Sequence, residues 1–479
     1  MRGLTAVGVP GLVMCASLHA SPVPRVLILG LDGVRPEAME RASTPVIDRL
    51  MADGCYTDRA HTGDATVSGP GWSSFLTGVW RDKHNVPDNA FRRPNYDDYP
   101  HFFDRLKEVR PDAFTVSIYS WEPLGLLELD ETADVSFFRD YTDDGDVHAV
   151  AKAVEVLGST DPDAMFVYIA DIDVAGHEYG FHPDVPEYIA EIEEVDGQIG
   201  EIITALRSRA SYDDERWLIL MSTDHGGTID GTHGRNEPLH REIFFMASGP
   251  DAARGEIFDT VNQVDIPATA MHHLGIDVDP AWRFDGRVVG LPRTAALGTN
   301  LLFNGDAEYG GGEQSLDRNR GIGGWVDLGS MTVLEWGSPD GYPTTSCPGP
   351  DDRGTCFFAG GKDAWSTITQ DIDVRSQAAL IDAGDLRCRA RGWFGGFETQ
   401  RDLARMRVEF LDAHGGTRGS MVIGGVTAAD RGEQTGLLER MATHPVPPET
   451  RMLRVTLSCE AGTGANDGYA DNLSVTLMR

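Results

Sequence analysis

The sequence predicts an α/β domain built on a mostly parallel sheet with helices on both faces, followed by an all-β sandwich. Two observations carry this. Up to about residue 290, short apolar runs alternate with amphipathic stretches, the βαβα order of a parallel sheet. From about Leu297 helical spacing disappears, Gly, Thr and Asp increase, and short strand-like runs recur, as in a sandwich. The expected divisions are residues 1–20, 21–295 and 296–479.

Residues 1–20 read as an export signal: Arg2 supplies positive charge, Leu4 to Leu18 is mostly apolar, and Ala20 precedes a cleavage point. Pro10 argues against a buried first helix, and Met14 before Cys15 argues against lipid attachment. The expected location is secreted or periplasmic. No later apolar run reaches eighteen residues, so no membrane span is expected. Cys347, Cys356, Cys388 and Cys459 could form two bridges in an oxidising compartment, leaving Cys55 as a buried thiol. A formal charge of −34 argues against a nucleic-acid-binding surface, which needs a positive face.

In chain order, Arg25 to Leu31 is a buried strand, Thr44 to Gly54 a helix closed by glycine, and Phe114 to Tyr119 a second strand. A helix over Asp146 to Leu157, a strand over Met165 to Ile169, a helix over Pro186 to Arg207 and a strand over Trp217 to Met221 complete the alternation. Later strand-like runs are Ser366 to Ile372, Arg405 to Phe410, Met452 to Leu457 and Leu473 to Leu477.

Ligands of such sheets lie beyond the carboxyl ends of the strands. Three strand runs end there in chemistry-bearing residues: Asp32-Gly33, then Asp171 and Asp173 with Gly176-His177, then Asp224-His225-Gly226 with His233-Gly234 close behind. A strand-end Asp alone is commonly a cap or turn former. Three such ends together with three histidines offer the carboxylate and imidazole mixture that suits Zn²⁺. In Thr66-Val67-Ser68-Gly69-Pro70-Gly71, the Gly-Pro-Gly segment predicts a turn before a helix over Trp72 to Leu76. Ser68 then lies at or just before a helix N-terminus, which favours anions; the plainer reading makes it an N-cap.

These segments resemble the alkaline phosphatase superfamily, most closely its type I phosphodiesterase and nucleotide pyrophosphatase branch. Asp32-Gly33, Ser68 with Pro70 and Thr77-Gly78, Asp173 with Gly176-His177, Asp224-His225-Gly226 and His233-Gly234 follow in that family's order over residues 25–290. The resemblance implies an alkaline-phosphatase-like fold and two Zn²⁺, one held by Asp173, His177 and His233, the other by Asp32, Asp224 and His225. It makes Ser68 the nucleophile and a ligand beside the second ion. It gives Asn89, rather than Asn85, the task of holding a non-bridging substrate oxygen. The implied reaction is hydrolysis of a small phosphoester, preferably a diester, through a Ser-linked intermediate. The branch usually carries Thr at the nucleophile position, which keeps monoester hydrolysis open. Sulfatases are the nearest rival; here Gly71-Trp72 follows Pro70, and the histidines offer nitrogen, which calcium does not prefer. With no long insertion to cover it, the site is expected to be open.

Asn300 to Glu308, with Asp467 to Leu473 at the far end, resembles galactose-binding-like jelly rolls found as carbohydrate-binding modules. That implies a possible structural Ca²⁺ at Asp306, Glu308 and Asp471, with turn formation the plainer reading. Trp325, Trp365 and Trp393 are candidates for stacking on a glycan, with core packing the alternative. A non-enzymatic reading, an inactive surface glycan-binding protein, would require the metal-ligand set to have decayed.

Overall fold

A computed structural model describes residues 22–479 apart from 128, 293, 310, 316–321, 328, 340 and 463. The expected export segment lies outside the described residues. The first unit is an eight-stranded mixed sheet of β1 (Val23–Leu31), β2 (Gly54–His61), β3 (Thr115–Tyr119), β4 (Val135–Phe138), β5 (Ala164–Ile169), β6 (Glu215–Ser222), β7 (Glu242–Ser248) and β8 (Gly255–Glu256). Its order is β4-β3-β5-β1-β6-β7-β2-β8. Strands β4 to β6 run parallel; β7 is antiparallel to both β6 and β2.

The apolar runs of β1, β5 and β6 are continuous because both faces are covered. Val26, Ile28, Phe166 and Leu220 meet the core around Trp72 and Phe75, whereas Leu27, Leu29, Val167 and Met221 meet the core around the long helix Pro186–Arg207. Strands β5, β1 and β6 are adjacent, so their carboxyl ends share one edge.

Two expectations change in detail. The helix placed over Thr44 to Gly54 ends at Ala52, because Gly54 opens β2. The Gly-Pro-Gly segment is no separate turn: the helix runs Ser68–Thr77 and takes Pro70 into its first turn. Proline is tolerated there because that N–H would lack an intrahelical partner anyway.

The second unit packs two five-stranded antiparallel sheets, built from β9 (Val326–Asp327), β10 (Thr332–Glu335), β11 (Cys356–Gly361), β12 (Trp365–Asp373), β13 (Arg387–Gly396), β14 (Leu403–Leu411), β15 (Thr417–Gly424), β16 (Gly436–Pro445), β17 (Met452–Glu460) and β18 (Asn466–Met478). The orders are β10-β11-β18-β13-β16 and β15-β14-β17-β12-β9. Strict alternation sends Ile368 and Ile372 of β12 and Val455 and Leu457 of β17 into one core with Phe358, Val475 and Leu477 of the facing sheet. The units are stitched together by Thr260 N–H to Asp371 O (3.1 Å), Asp371 N–H to Thr260 Oγ1 (2.7 Å) and Tyr309 O–H to Gly286 O (2.5 Å).

The five described cysteines are free, so the two expected bridges do not form. Cys388 on β13 and Cys459 on β17 belong to different sheets. The Cys347 thiol lies against Thr344, and the Cys356 thiol against its neighbour Thr355. Cys55 is buried, as expected. Trp325 is a core residue whose indole N–H meets Asn304 O, and Trp393 packs partly buried beside Phe357; only Trp365 of the three glycan candidates is exposed. Glu308 accepts hydrogen bonds from Thr355 and the Cys356 N–H, while one oxygen of buried Asp471 has no partner among the described residues.

Candidate active site and metal centre

Each ligand candidate is placed by the end of a strand. The Asp32 N–H extends the β1–β5 ladder to Ile169 O at 2.9 Å, which brings its carboxylate over the sheet edge. Its Oδ2 accepts from Trp72 Nε1 (2.9 Å) and the Tyr168 hydroxyl (2.6 Å), and its Oδ1 has no hydrogen-bond partner among the described residues. Gly33 follows in a left-handed conformation (φ 68°), and a Cβ there would lie 2.6 Å from Asp173 Oδ1. Only glycine lets the chain turn that close to a second carboxylate. Asp224, after β6, accepts the Gly33 N–H on Oδ1 at 3.3 Å and has no hydrogen-bond partner on Oδ2 among the described residues. Asp173 and His177 lie one turn apart on the helix Asp171–Tyr179, which brings them onto one face, 3.3 Å apart at Oδ2 and Nε2.

The three histidines share one arrangement. Their Nδ1 atoms lie 2.9 Å from backbone carbonyls: His177 at Gly231, His225 at Gly226 and His233 at Thr66. A carbonyl only accepts, so each Nδ1 carries a proton and each Nε2 faces inward. His225 Nε2 lies 3.3 Å from Asp224 Oδ2 and 3.5 Å from Asp32 Oδ1. His177 and His233 face each other Nε2 to Nε2 at 3.1 Å, and the His225 and His233 rings stack at 3.8 Å.

Two sets of donors converge within 4.8 Å: Asp32, Asp224 and His225, and Asp173, His225 and His233, with His177 adjoining the second. Asp32 Oδ1, Asp173 Oδ1, Asp224 Oδ2 and His225 Nε2 are buried without hydrogen-bond partners among the described residues. Unpaired buried acceptors are costly, and a cation at their centre removes the cost. The residues fit a divalent metal.

The electrostatics agree. Burial, then the neighbouring Asp173 charge, pushes the Asp32 carboxyl up; burial, then Asp32 and Asp173, pushes Asp224 well above the carboxylate range. Burial also opposes ionisation of Asp173, but the His177 hydrogen bond and the other histidines outweigh it and lower its pKa. The hydrogen bond to Asp173 raises His177 to about 9, and burial together with His225 lowers His233 to about 3. Such carboxylate crowding requires compensating positive charge.

Ser68 opens a buried helix and is itself 6% exposed. Val67, not Ser68, holds the N-cap position, so the capping reading does not describe it. The next N–H, that of Gly69, donates to Asn89 Oδ1 at 2.7 Å, placing Asn89 beside Ser68. Asn85 instead donates to Arg93 O and lines no part of the cleft. Ser68, Asn89, Asp32, Asp173, His177 and His233 line one cleft of about 460 Å³. Trp121, Tyr141, Tyr168 and Glu178 complete its walls, and none of the lining residues is Lys or Arg. Sequence reasoning missed Trp72 and Tyr168, which hold Asp32, as well as Trp121 and Tyr141; a polar-tipped tyrosine in the otherwise apolar β5 was the available signal.

Residues 26–234 match the model of the family described as type I phosphodiesterase / nucleotide pyrophosphatase. This stretch resembles a type I phosphodiesterase domain. It spans every site residue from Asp32 to His233. Among curated relatives, bis(5'-adenosyl)-triphosphatase ENPP4 of Bos taurus is 24% identical over 230 residues, 44% of this chain and 49% of the relative. Ectonucleotide pyrophosphatase/phosphodiesterase family member 1 of Homo sapiens is 25% identical over 227 residues, 42% and 23% of the two chains. The aligned part thus spans about half or less of these relatives' own length. Among solved structures, murine ENPP5 is similar at 15% identity and a TM-score of 0.45, covering 53% of this chain and 96% of that one.

Proposed function

We propose that this protein is a metal-dependent phosphodiesterase in which Ser68 attacks the phosphorus of a small phosphodiester at a two-zinc site. The observation that carries the reading is the convergence of four buried donor atoms with no hydrogen-bond partner among the described residues, two of whose residues, Asp32 and Asp173, line one cleft with the helix-opening Ser68. Zinc held by Asp173, His177 and His233 and by Asp32, Asp224 and His225 would supply Lewis-acid polarisation and neutralise developing charge.

The chain's own groups do the rest. Ser68 Oγ displaces the leaving alcohol and forms a phosphoryl ester with the enzyme, which water then opens. Asn89 has its Oδ1 committed to the Gly69 N–H, so its Nδ2 is the end free to donate to a non-bridging oxygen. The indole of Trp72 and the phenol of Tyr168 fix one oxygen of Asp32 and leave the other for the ion.

The absence of Lys and Arg from the cleft lining favours a singly charged diester over a dianionic monoester, which needs cationic partners. Monoester hydrolysis is the second reading, because the nucleophile is Ser. Nitrogen donors at three ligand positions disfavour a calcium-dependent sulfatase, and an intact ligand set disfavours an inactive glycan-binding protein. Export to a secreted or periplasmic location, residues 21–295 as the catalytic unit, residues 296–479 as a jelly roll able to hold Ca²⁺ at Asp471 and to meet a glycan, all belong to the same proposal.

Hydrolysis of bis-p-nitrophenyl phosphate, p-nitrophenyl phosphate and p-nitrophenyl sulfate, with and without chelator, tests it. Chelator-sensitive turnover of the diester supports the reading, and turnover of the sulfate alone removes it. Ser68→Ala should abolish turnover with metal content unchanged.

A further inference from the structure

Asp146 takes no part in either donor set, yet it is fully buried where three segments of the site meet. It lies in the first turn of the helix Gly145–Ser159. Its Oδ2 accepts the N–H groups of Ala170 and Asp171, both at 2.7 Å, and its Oδ1 accepts the Ser120 hydroxyl. The helix Asp171–Tyr179 begins at those two N–H groups, and its N-cap residue, Ala170, has no side-chain oxygen to satisfy them. Asp146 caps that helix from another part of the chain. Asp173 lies in the first turn of the same helix and His177 one turn farther on. On its other side, Ser120 accepts the Tyr141 N–H on its carbonyl at 2.8 Å and precedes Trp121; Trp121, Tyr141 and Ala170 all line the cleft.

We propose that Asp146 is a positioning residue: one buried carboxylate sets the Asp173–His177 helix against Asp32 and Asp224 and holds the Trp121–Tyr141 wall in register with it. The proposal rests on the metal-site reading above. Outer partners bonded to the ligands themselves contribute about 10–100-fold to metal affinity, and a carboxylate that fixes the helix carrying two of them should act within that range. The effect should fall on the Asp173 ion and spare the ion at Asp32, Asp224 and His225.

The test uses the full chain with Asp146→Ala and Asp146→Asn, read by zinc content after dialysis against graded chelator and by amide hydrogen exchange of the metal-free protein. Asn keeps an oxygen for both N–H groups and a donor for Ser120, so it should stay near wild type. In Asp146→Ala, one of two ions should leave at about 10–100-fold lower chelator. Residues 170–177 should exchange faster while β1 keeps its protection, and KM for the diester should rise. Retention of both ions with unchanged exchange would overturn the proposal, as would loss of both ions with protection lost across the whole sheet, or an Asn variant as impaired as the Ala variant. A wild-type protein that binds no zinc, with the exchange pattern still as described, would remove the metal reading and leave the positioning role standing.

Discussion

Removing the metal proposed for this site should unfold the α/β domain at a much lower temperature, and the sign of a single substitution should reverse with it. Three carboxylates, Asp32, Asp173 and Asp224, crowd one buried site with an oxygen each left unpaired. Each ion at a free concentration about 100-fold above its Kd stabilises the folded state by about 2.7 kcal/mol, so two give about 5 kcal/mol. For a domain of this size that corresponds to roughly 10–20 °C in Tm. Circular dichroism at the helical band isolates the effect, because every described α-helix except Ala378–Asp382 lies before residue 274. Asp32→Asn relieves repulsion in the metal-free protein and should raise its Tm; with zinc present it deletes a ligand and should lower it. A chelator shift under about 2 °C, or an Asp32→Asn effect of the same sign in both states, would refute the reasoning.

Other expectations rest on separate features. Asn89→Ala removes the donor proposed to meet the substrate and should lower kcat roughly 10²-fold or more with little change in zinc content, measured by steady-state kinetics and metal analysis. Lys83 and Asp285 form a buried ion pair at 2.6 Å, and Asp285 also accepts the Trp80 N–H. Lys83→Met strands that carboxylate and should cost about 3–5 kcal/mol in denaturant unfolding. Burial raises the Asp265 carboxyl to about 7 despite its bonds from the Asn262 and Arg287 N–H groups. Because the folded pKa lies above the unfolded one, its contribution is complete below about pH 4 and is lost as pH rises through about 7. Asp265→Asn should therefore flatten the pH dependence of the unfolding midpoint between pH 5 and 8; an unchanged slope would contradict this.

Much of the site was legible because its ligands follow strands whose apolar runs are unmistakable. Asp32, Asp224 and the Asp173–His177 pair are each anchored within a few residues of β1, β6 or β5. What the pattern hid depends on partners distant in the chain. Trp72 and Tyr168 reach Asp32 from 40 and 136 residues away, and Asp146 reads as an ordinary helix-start residue until its partners at Ala170 and Asp171 are seen. The Gly-Pro-Gly segment misled because glycine and proline signal a turn locally, while the surrounding core holds that helix fully buried. The cysteines misled for a related reason: spacing in a strand says nothing about which sheet the strand joins. Trp325, a candidate for sugar stacking for which core packing was the commoner fate, is core, and its indole meets Asn304.

The carbonyls of Gly231, Gly226 and Thr66 that orient the three imidazoles are main-chain atoms. Replacing a side chain cannot delete them, so the three imidazoles keep their orientation whether or not an ion is bound. Under the two-zinc proposal a change of metal preference would have to come from the donor positions themselves, and a spectroscopically active substitute such as cobalt should report the same geometry on exchange.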